Sequence, residues 1–207
     1  ISHDLRTPLT AICGYLDLLE AEEKSEKVTR CFMAIQNRAE VLKQLTEELF
    51  RYSIIMSAQE PMQLEPLCVN DILEQSIVSF YAALTKHGIT PQIDITEKKI
   101  MRTLNRTAFL RVLNNILNNA VKYSDGDLNV SLSETGEIIF LNTAKNLNDV
   151  QVGKLFNRFF SVETARNSTG LGLAIAKTLV EQMQGTITAQ YHNNVLSICL
   201  DFPQTAE

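Results

Sequence analysis

"ISHDLRTPLTAICGYLDLLE" (residues 1–20) carries the pattern on which the reading of the fold turns. Leu5, Leu9, Ile12, Leu16 and Leu19 are separated alternately by four and three residues, the spacing of a helical heptad seam. The polar run "AEEKSEK" (21–27) interrupts the seam, and Val28, Phe32, Ile35, Ala39, Leu42, Leu49 and Met56 resume it. Val41, Leu45, Tyr52 and Ile55 widen the apolar face of this second helix. Two amphipathic helices cannot bury two such faces alone. Residues 1–58 are therefore expected to form a helical hairpin that dimerises into a four-helix bundle.

The same phase places His3. With Leu5, Ile12 and Leu19 at d and Leu9 and Leu16 at a, His3 falls at b and points to solvent. Thr7 lies one turn on, on the same side, and Asp4 is adjacent. Pro8 cannot donate to the carbonyl of Asp4. A proline inside a helix costs ~3 kcal/mol, and the helix is expected to bend there. An exposed imidazole can be neutral near physiological pH and act as a nucleophile, and a neighbouring carboxylate can orient it and accept its proton. An exposed histidine near a chain end, with a proline in the first turn of a helix, accounts for the same residues without any chemistry.

Residues 59–69, "QEPMQLEPLCV", hold two prolines and no period, and read as a linker. Residues 70–207 mix elements. "NDILEQSIVSFYAALTKHG" is a helix ending at Gly88, with Asn70 or Asp71 as N-cap. Strands are expected near 89–95 and 100–104, a helix over 106–123, and strands near 128–133 and 137–142. A loop-rich stretch follows over 143–168, then a helix over 171–184. A closing hairpin has strands near 186–191 and 195–201 and turns at "HNN". Helices beside a mostly antiparallel sheet make a two-layer α/β sandwich, so the chain as a whole is α+β.

Composition narrows the class. Hydrophobic residues make up 45% and charged residues 21% of the 207, as in a packed soluble protein. The net charge of −5 argues against a nucleic-acid surface. No apolar run approaches the ~20 residues of a membrane span. The chain starts inside a helical pattern without an initiator Met, which predicts a piece of something longer. Cys13, Cys31, Cys68 and Cys199 show no metal-binding or redox spacing; they read as buried thiols suited to a reducing, cytoplasmic setting.

Two further segments carry chemistry. In "RVLNNILNNAVKYS" (111–124), Asn114, Asn115, Asn118 and Asn119 are weak helix formers that together cost ~2 kcal/mol relative to alanine. Arg111, Asn115, Asn119 and Lys122 fall on one stripe, and Phe109, Leu113, Ile116 and Ala120 on an apolar one. Amide oxygens suit Mg²⁺, and Lys122 and Arg111 could meet phosphate charge; a solvated polar face is the plainer reading. In "STGLGLAIAKTLVEQMQG" (168–185), Gly170 and Gly172 open a helix whose free N–H groups could face phosphate. This is no dinucleotide fingerprint, because the third glycine position is Ile175 and no strand precedes it. Phe156, Phe159 and Phe160 in "LFNRFF" read as plain core or as the anchor of a loop. Gly185 reads as a helix C-cap, and His87 and His192 as surface residues.

"SHDLRTPLT" resembles the phosphoacceptor box of the sensor histidine kinases of two-component systems, and "RVLNNILNNAVKYS" resembles their Asn box, shared with gyrase B and mismatch-repair ATPases. The "LFNRFF" to "STGLGLAIA" spacing resembles their Phe box and second Gly box. The resemblance spans essentially the whole chain. It implies a dimerisation and phosphotransfer hairpin (1–58), a linker (59–69) and an ATP-binding domain (70–207). It implies that His3 is phosphorylated from ATP·Mg²⁺ with Asp4 as general base, and that the phosphoryl group passes to a receiver-domain aspartate of a response regulator. It assigns Thr7 to water positioning for a phosphatase activity. It assigns Asn119 to Mg²⁺ and Asn115, Lys122 and Tyr123 to the nucleotide site. Phe156, Phe159 and Phe160 become anchors of the loop that closes over ATP, with Arg166 as a γ-phosphate contact and Gly170 and Gly172 beside the phosphates. It implies a homodimer, with any membrane attachment confined to upstream segments. One box departs: the family's Asp-x-Gly-x-Gly falls on "NTAKN" (142–146), so Asn142 replaces the aspartate that accepts from the adenine amino group, and Ala144 and Asn146 replace glycines. That departure keeps two other readings open. One is a degenerate, non-catalytic or phosphatase-only regulator-binding member; the other is an ATPase or serine kinase of the same superfamily, which "SHDLRTP" disfavours.

Overall fold

The computed structural model describes residues 2–20, 24–57, 62–162 and 169–204. They divide into a helical unit and an α/β unit. In the helical unit, α1 (Ser2–Glu20) packs against α2 (Glu26–Ser57). Pro8 lies within α1. The Ser25 carbonyl accepts from the Thr29 N–H at 2.9 Å and opens α2. Only part of the seam is closed. Leu9 and Leu16, at a, are 7% exposed and Ala39 is 8%, whereas Ile12 and Leu19, at d, remain 45% and 50% exposed. Val28, Ile35, Leu42 and Leu49 are likewise exposed. One helix covers one flank of its neighbour, and an apolar flank is left over on each. The side chains of Leu5, Tyr52, Ile55 and Met56 lie outside the described residues.

The second unit begins with β1 (Glu65–Cys68), α3 (Val69–Lys86), β2 (Thr90–Ile95), β3 (Met101–Leu104) and α4 (Arg106–Tyr123). It continues with β4 (Asp127–Leu132), β5 (Ile138–Thr143), a single turn α5 (Asp149–Val152), α6 (Gly172–Gln182), β6 (Thr186–His192) and β7 (Val195–Asp201). Five strands form one sheet in the order β2-β4-β5-β7-β6. β2 and β4 run parallel and the other pairs antiparallel. Alternate residues face inward along each central strand: Leu128, Val130 and Leu132; Ile138, Phe140 and Asn142; Leu196, Ile198 and Leu200. Against this face α4 lays Phe109, Val112, Leu113, Ile116 and Leu117, all essentially fully buried. The Phe109 and Phe202 rings meet edge-on, with centroids 5.5 Å apart. Asn193 and Asn194, both at positive φ (51° and 65°), make the two-residue turn between β6 and β7.

Several local expectations are corrected. The second half of the 59–69 linker is a strand: β1 pairs antiparallel with β3, Glu65 opposite Leu104 and Cys68 opposite Met101. The two prolines mask it, and its partner is distant in sequence. Neither Asn70 nor Asp71 caps α3; the N-cap is Cys68, without a side-chain cap. Asn70 is instead the buried second residue of α3 and staples the 96–100 loop. Its Oδ1 accepts from Ile100 N–H at 2.8 Å, and its Nδ2 donates to the carbonyls of Thr96 and Lys98 at 2.9 and 3.1 Å. Asn70→Ala leaves a buried N–H unpaired, and the expected loss is about 3 kcal/mol in a urea unfolding titration.

Gly88 does end α3, at φ +71°, with Ile89 N–H bonded to the Leu84 carbonyl. In α6 the matching left-handed position is taken by Gln184 (φ 60°), not by Gly185. Gly185 is needed for another reason, because a Cβ there would lie 2.5 Å from the Phe202 ring. Of the cysteines, Cys31 is exposed and the other three are half-buried. Burial and the nearby Glu137 carboxylate push the Cys199 thiol up to about 12, so it stays protonated and inert.

Candidate active site

The helix α4 places Arg111, Asn115 and Asn119 at half-buried positions and leaves Lys122 exposed, on the flank away from its apolar face. Its N-cap is Asn105, whose side chain accepts from Ala108 N–H at 2.9 Å. α4 packs along α6, and this brings two of the sequence boxes together. A Cβ on Gly172 would lie 3.5 Å from Asn115 Oδ1. Gly172 is also the first residue of α6, where backbone N–H groups lack helical partners. The Nδ2 of Asn115 is buried and has no hydrogen-bond partner among the described residues. A buried unpaired amide donor costs about 1–3 kcal/mol. An oxygen-rich group lying between α4 and the start of α6 would satisfy it, and a phosphate fits that donor set. At the end of α4, the Tyr123 hydroxyl lies 3.3 Å from Ser161 Oγ and ties the helix to the segment between α5 and α6.

Gly170 has a different task from the one expected. It sits at φ +66°, and a Cβ there would fall 2.6–2.7 Å from backbone atoms of Phe159 and Phe160. Its bare side is filled by the "LFNRFF" segment and is not open to a phosphate. Phe159 itself adopts φ 61° and is 58% exposed, so it is no packed anchor; Phe156 and Phe160 are half-buried. Lys177 Nζ stands 5.9 Å from the centre of the Phe156 ring. Arg166 lies outside the described residues, as do the side chains of His3, Asp4 and Thr7.

Asn142 is the next-to-last residue of β5 and, at 4% exposure, one of the few buried polar side chains. Its Nδ2 donates to the Thr143 carbonyl at 3.1 Å. That bond fixes the amide, leaving Oδ1 as an acceptor with no partner among the described residues. Ala144 is 4% exposed and clamped by the hairpin: its N–H donates to the Asn194 carbonyl at 2.8 Å, and its carbonyl accepts from the Tyr191 hydroxyl at 2.9 Å. The backbone after Asn142 is therefore held, where glycines would leave it free.

Sequence reasoning missed the turn that faces this segment. Asp127 accepts from Thr143 N–H and from Thr143 Oγ1, both at 2.8 Å, and from Ser124 Oγ at 3.2 Å. Burial pushes the Asp127 carboxyl up, but the hydrogen bonds from Thr143 and Ser124 outweigh it and hold the group below its ordinary value. The signal in the sequence was "SDGD" (124–127), a turn composition that does not say which strand it will face.

Hairpin and sandwich together define a class: a phosphoacceptor helical hairpin followed by an ATPase-type α/β sandwich. Residues 1–57 match the His Kinase A (phospho-acceptor) domain, and residues 105–204 match the histidine kinase-, DNA gyrase B-, and HSP90-like ATPase family. The chain is 28% identical to the sensor histidine kinase YcbM of Bacillus subtilis (strain 168), over 97% of this chain and 69% of that protein. It is 30% identical to the sensor protein VanSC of Enterococcus gallinarum, over 100% of this chain and 60% of that one. Among solved structures, the Acinetobacter baumannii histidine kinase AdeS superposes with a TM-score of 0.69 at 23% identity, covering 100% of both chains. Full-length ShkA in complex with AMPPNP gives 0.73 at 22% identity, over 99% of this chain and 45% of that one. The chain belongs to the sensor histidine kinases of two-component systems. It spans only part of the length of these curated relatives.

Proposed function

We propose that this chain phosphorylates its own His3 from ATP and passes the phosphoryl group to a receiver-domain aspartate of a response regulator. The observation that carries the nucleotide half of this reading is the buried, unpaired Nδ2 of Asn115 beside the bare α-carbon of Gly172. In the reaction the His3 ring attacks the γ-phosphorus in line, ADP departs, and Asp4 takes the ring proton. Asn115, the start of α6 and Lys122 hold the phosphates. Asn119 would supply an amide oxygen to a Mg²⁺ that arrives with the phosphates. A Mg²⁺ held by Asn119 would supply charge neutralisation for the phosphates. Incubation with γ-labelled ATP and Mg²⁺ tests the reading: the label should be lost in acid and kept in base. Nucleotide binding without any label transfer overturns it in favour of a degenerate, regulator-binding member, the reading that the clamped Ala144 favours.

The exposed Ile12, Leu19, Ile35 and Leu42 support a second copy of the hairpin as the partner that completes the bundle. Among the described residues no helix is long and apolar enough to cross a membrane. The sensor proteins it resembles extend beyond this chain, and that likeness supports a cytoplasmic portion of a membrane-anchored sensor. In this reading Thr7, one helical turn from His3, holds water near a docked phosphoaspartate. Thr7→Ala should keep autophosphorylation and slow regulator dephosphorylation; a parallel fall in both means that the helix alone was disturbed.

Asn142 accepts the adenine amino group through Oδ1. A neutral hydrogen bond contributes ~1 kcal/mol and a charged one ~1.5–3, so the amide binds ATP roughly tenfold more loosely than a carboxylate. Asn142→Asp should tighten ATP several-fold over GTP by calorimetry. It should also lower the melting temperature of the ATP-free protein, because a buried carboxylate would then face the Thr143 carbonyl. Unchanged or lowered ATP affinity sinks the assignment of Asn142.

A further inference from the structure

The β4–β5 ladder pairs Asn129 with Leu141 and goes no further toward the 124–127 turn that precedes β4. Two residues on, where the same register would set Asp127 opposite Thr143, the Asp127 side chain replaces the missing backbone bonds. Oδ1 takes the Thr143 N–H and Oδ2 takes the Thr143 hydroxyl, each at 2.8 Å. On its other side Thr143 is paired with Val195 of β7. The neighbouring Asp125 N–H donates to the Thr143 carbonyl at 2.9 Å, and Asp125 Oδ2 accepts from Lys145 N–H at 2.9 Å. Ser124 Oγ holds the turn in shape by accepting from the N–H groups of Gly126 and Asp127, both at 3.0 Å. Thr143 is thus fixed at its N–H, its hydroxyl and its carbonyl. That carbonyl is the group that fixes the Asn142 amide, through Nδ2 at 3.1 Å.

We propose that Asp127 is a positioning residue for adenine recognition: by gripping Thr143 at two points it sets the carbonyl that turns the Asn142 amide oxygen outward as an acceptor. The proposal rests on the reading of Asn142 as the adenine contact and extends it to a residue that touches no ligand. A side-chain amide can present oxygen or nitrogen on either side at little intrinsic cost, so a neutral acceptor depends on its surroundings for its orientation. A carboxylate at position 142 would need no such help, because both its oxygens accept. The device therefore matters most in a chain that carries Asn142. Asp127 suits the task because it remains ionised: burial alone would raise its carboxyl, and the bonds from Thr143 and Ser124 bring it below its ordinary value.

The test measures dissociation constants of the 207-residue chain by calorimetry, in Mg²⁺, for ATP, GTP and inorganic tripolyphosphate, which lacks adenine. Asp127→Ala should weaken ATP about fivefold, the worth of one neutral hydrogen bond, and reduce discrimination against GTP. It should leave tripolyphosphate unchanged and add nothing to ATP binding in an Asn142→Ala background. Asp127→Asn, which still offers an acceptor to the Thr143 N–H and a polar partner to its hydroxyl, should restore most of the affinity. If Asn142→Ala weakens ATP and Asp127→Ala does not, or if the two losses add, or if tripolyphosphate weakens equally, Asp127 does not position the amide. If Asn142→Ala itself leaves ATP affinity unchanged, the underlying reading of Asn142 is what has failed. Should Asp127→Ala not fold, Thr143→Val removes one of the two grips; it should weaken ATP in the parent chain and not in Asn142→Ala, and equal ATP affinity in the parent background overturns the proposal.

Discussion

His3→Ala should take up no phosphate from γ-labelled ATP, while its affinity for ATP should stay that of the parent chain. The expected effect is complete because no other described side chain stands in for the acceptor. His87 sits at the C-cap of α3 with Nδ1 2.9 Å from the Ala83 carbonyl, and His192 ends β6 in the closing hairpin. Neither has a neighbouring acid in the sequence, and neither lies on the hairpin that matches the phospho-acceptor domain. Nucleotide affinity should survive because Asn115, Asn119, Lys122, Asn142 and the start of α6, the groups proposed to hold ATP, lie outside the hairpin. Label retained in His3→Ala with the same acid lability would move the acceptor elsewhere. The measurement needs a hairpin that is folded, so it is paired with circular dichroism of both proteins.

Asn119→Ala should abolish the dependence of ATP binding on Mg²⁺. Asn119 lies one turn beyond Asn115 on the half-buried flank of α4, three residues before the exposed Lys122. Removing an amide oxygen from a cation that has few protein ligands leaves water and phosphate to hold it. The parent chain should bind ATP at least about tenfold more tightly with Mg²⁺ than with a chelator, a difference of ~1.4 kcal/mol. The variant should give the same weak constant in both. Folding should be little altered, because alanine is the better helix former and the site is not in the apolar core. A variant that keeps the full Mg²⁺ effect shows that the cation rests on other groups.

How much of this could be read from the chain alone follows from which interactions are local. Heptad spacing, the bounds of α4, the Gly88 terminus and the Asn-Asn turn are properties of neighbouring residues, and a periodic apolar pattern reports them directly. The resemblance of "SHDLRTPLT" and "RVLNNILNNAVKYS" to the kinase boxes likewise needs only short stretches. Within the structure, Leu9 and Leu16 went inward and Ile12 and Leu19 did not, although all four share one seam. A heptad says which residues want cover, not which neighbour supplies it.

The roles of single residues behave differently, because they depend on what arrives from far along the chain. Asn70 was expected to cap its own helix and instead holds a loop some thirty residues away. Gly170 was read as making room for a phosphate, but its space is occupied by the backbone of Phe159 and Phe160. Gly185 was read as a cap, yet the Phe202 ring is what excludes a side chain there. Asp127 gave only the turn composition of "SDGD", since nothing near it in sequence reveals that Thr143 will lie opposite. Sequence by itself therefore determined the order of the elements other than β1 and α5, the two-part organisation and the motifs that resemble the kinase boxes, because periodicity and motif spacing are written in adjacent residues. Only the tertiary structure decided which glycine meets which backbone, which asparagine is left with an unpaired donor, and which carboxylate orients another residue's amide. Those outcomes are set by close packing and hydrogen-bond geometry between segments that only the folded chain brings within 3 Å of each other.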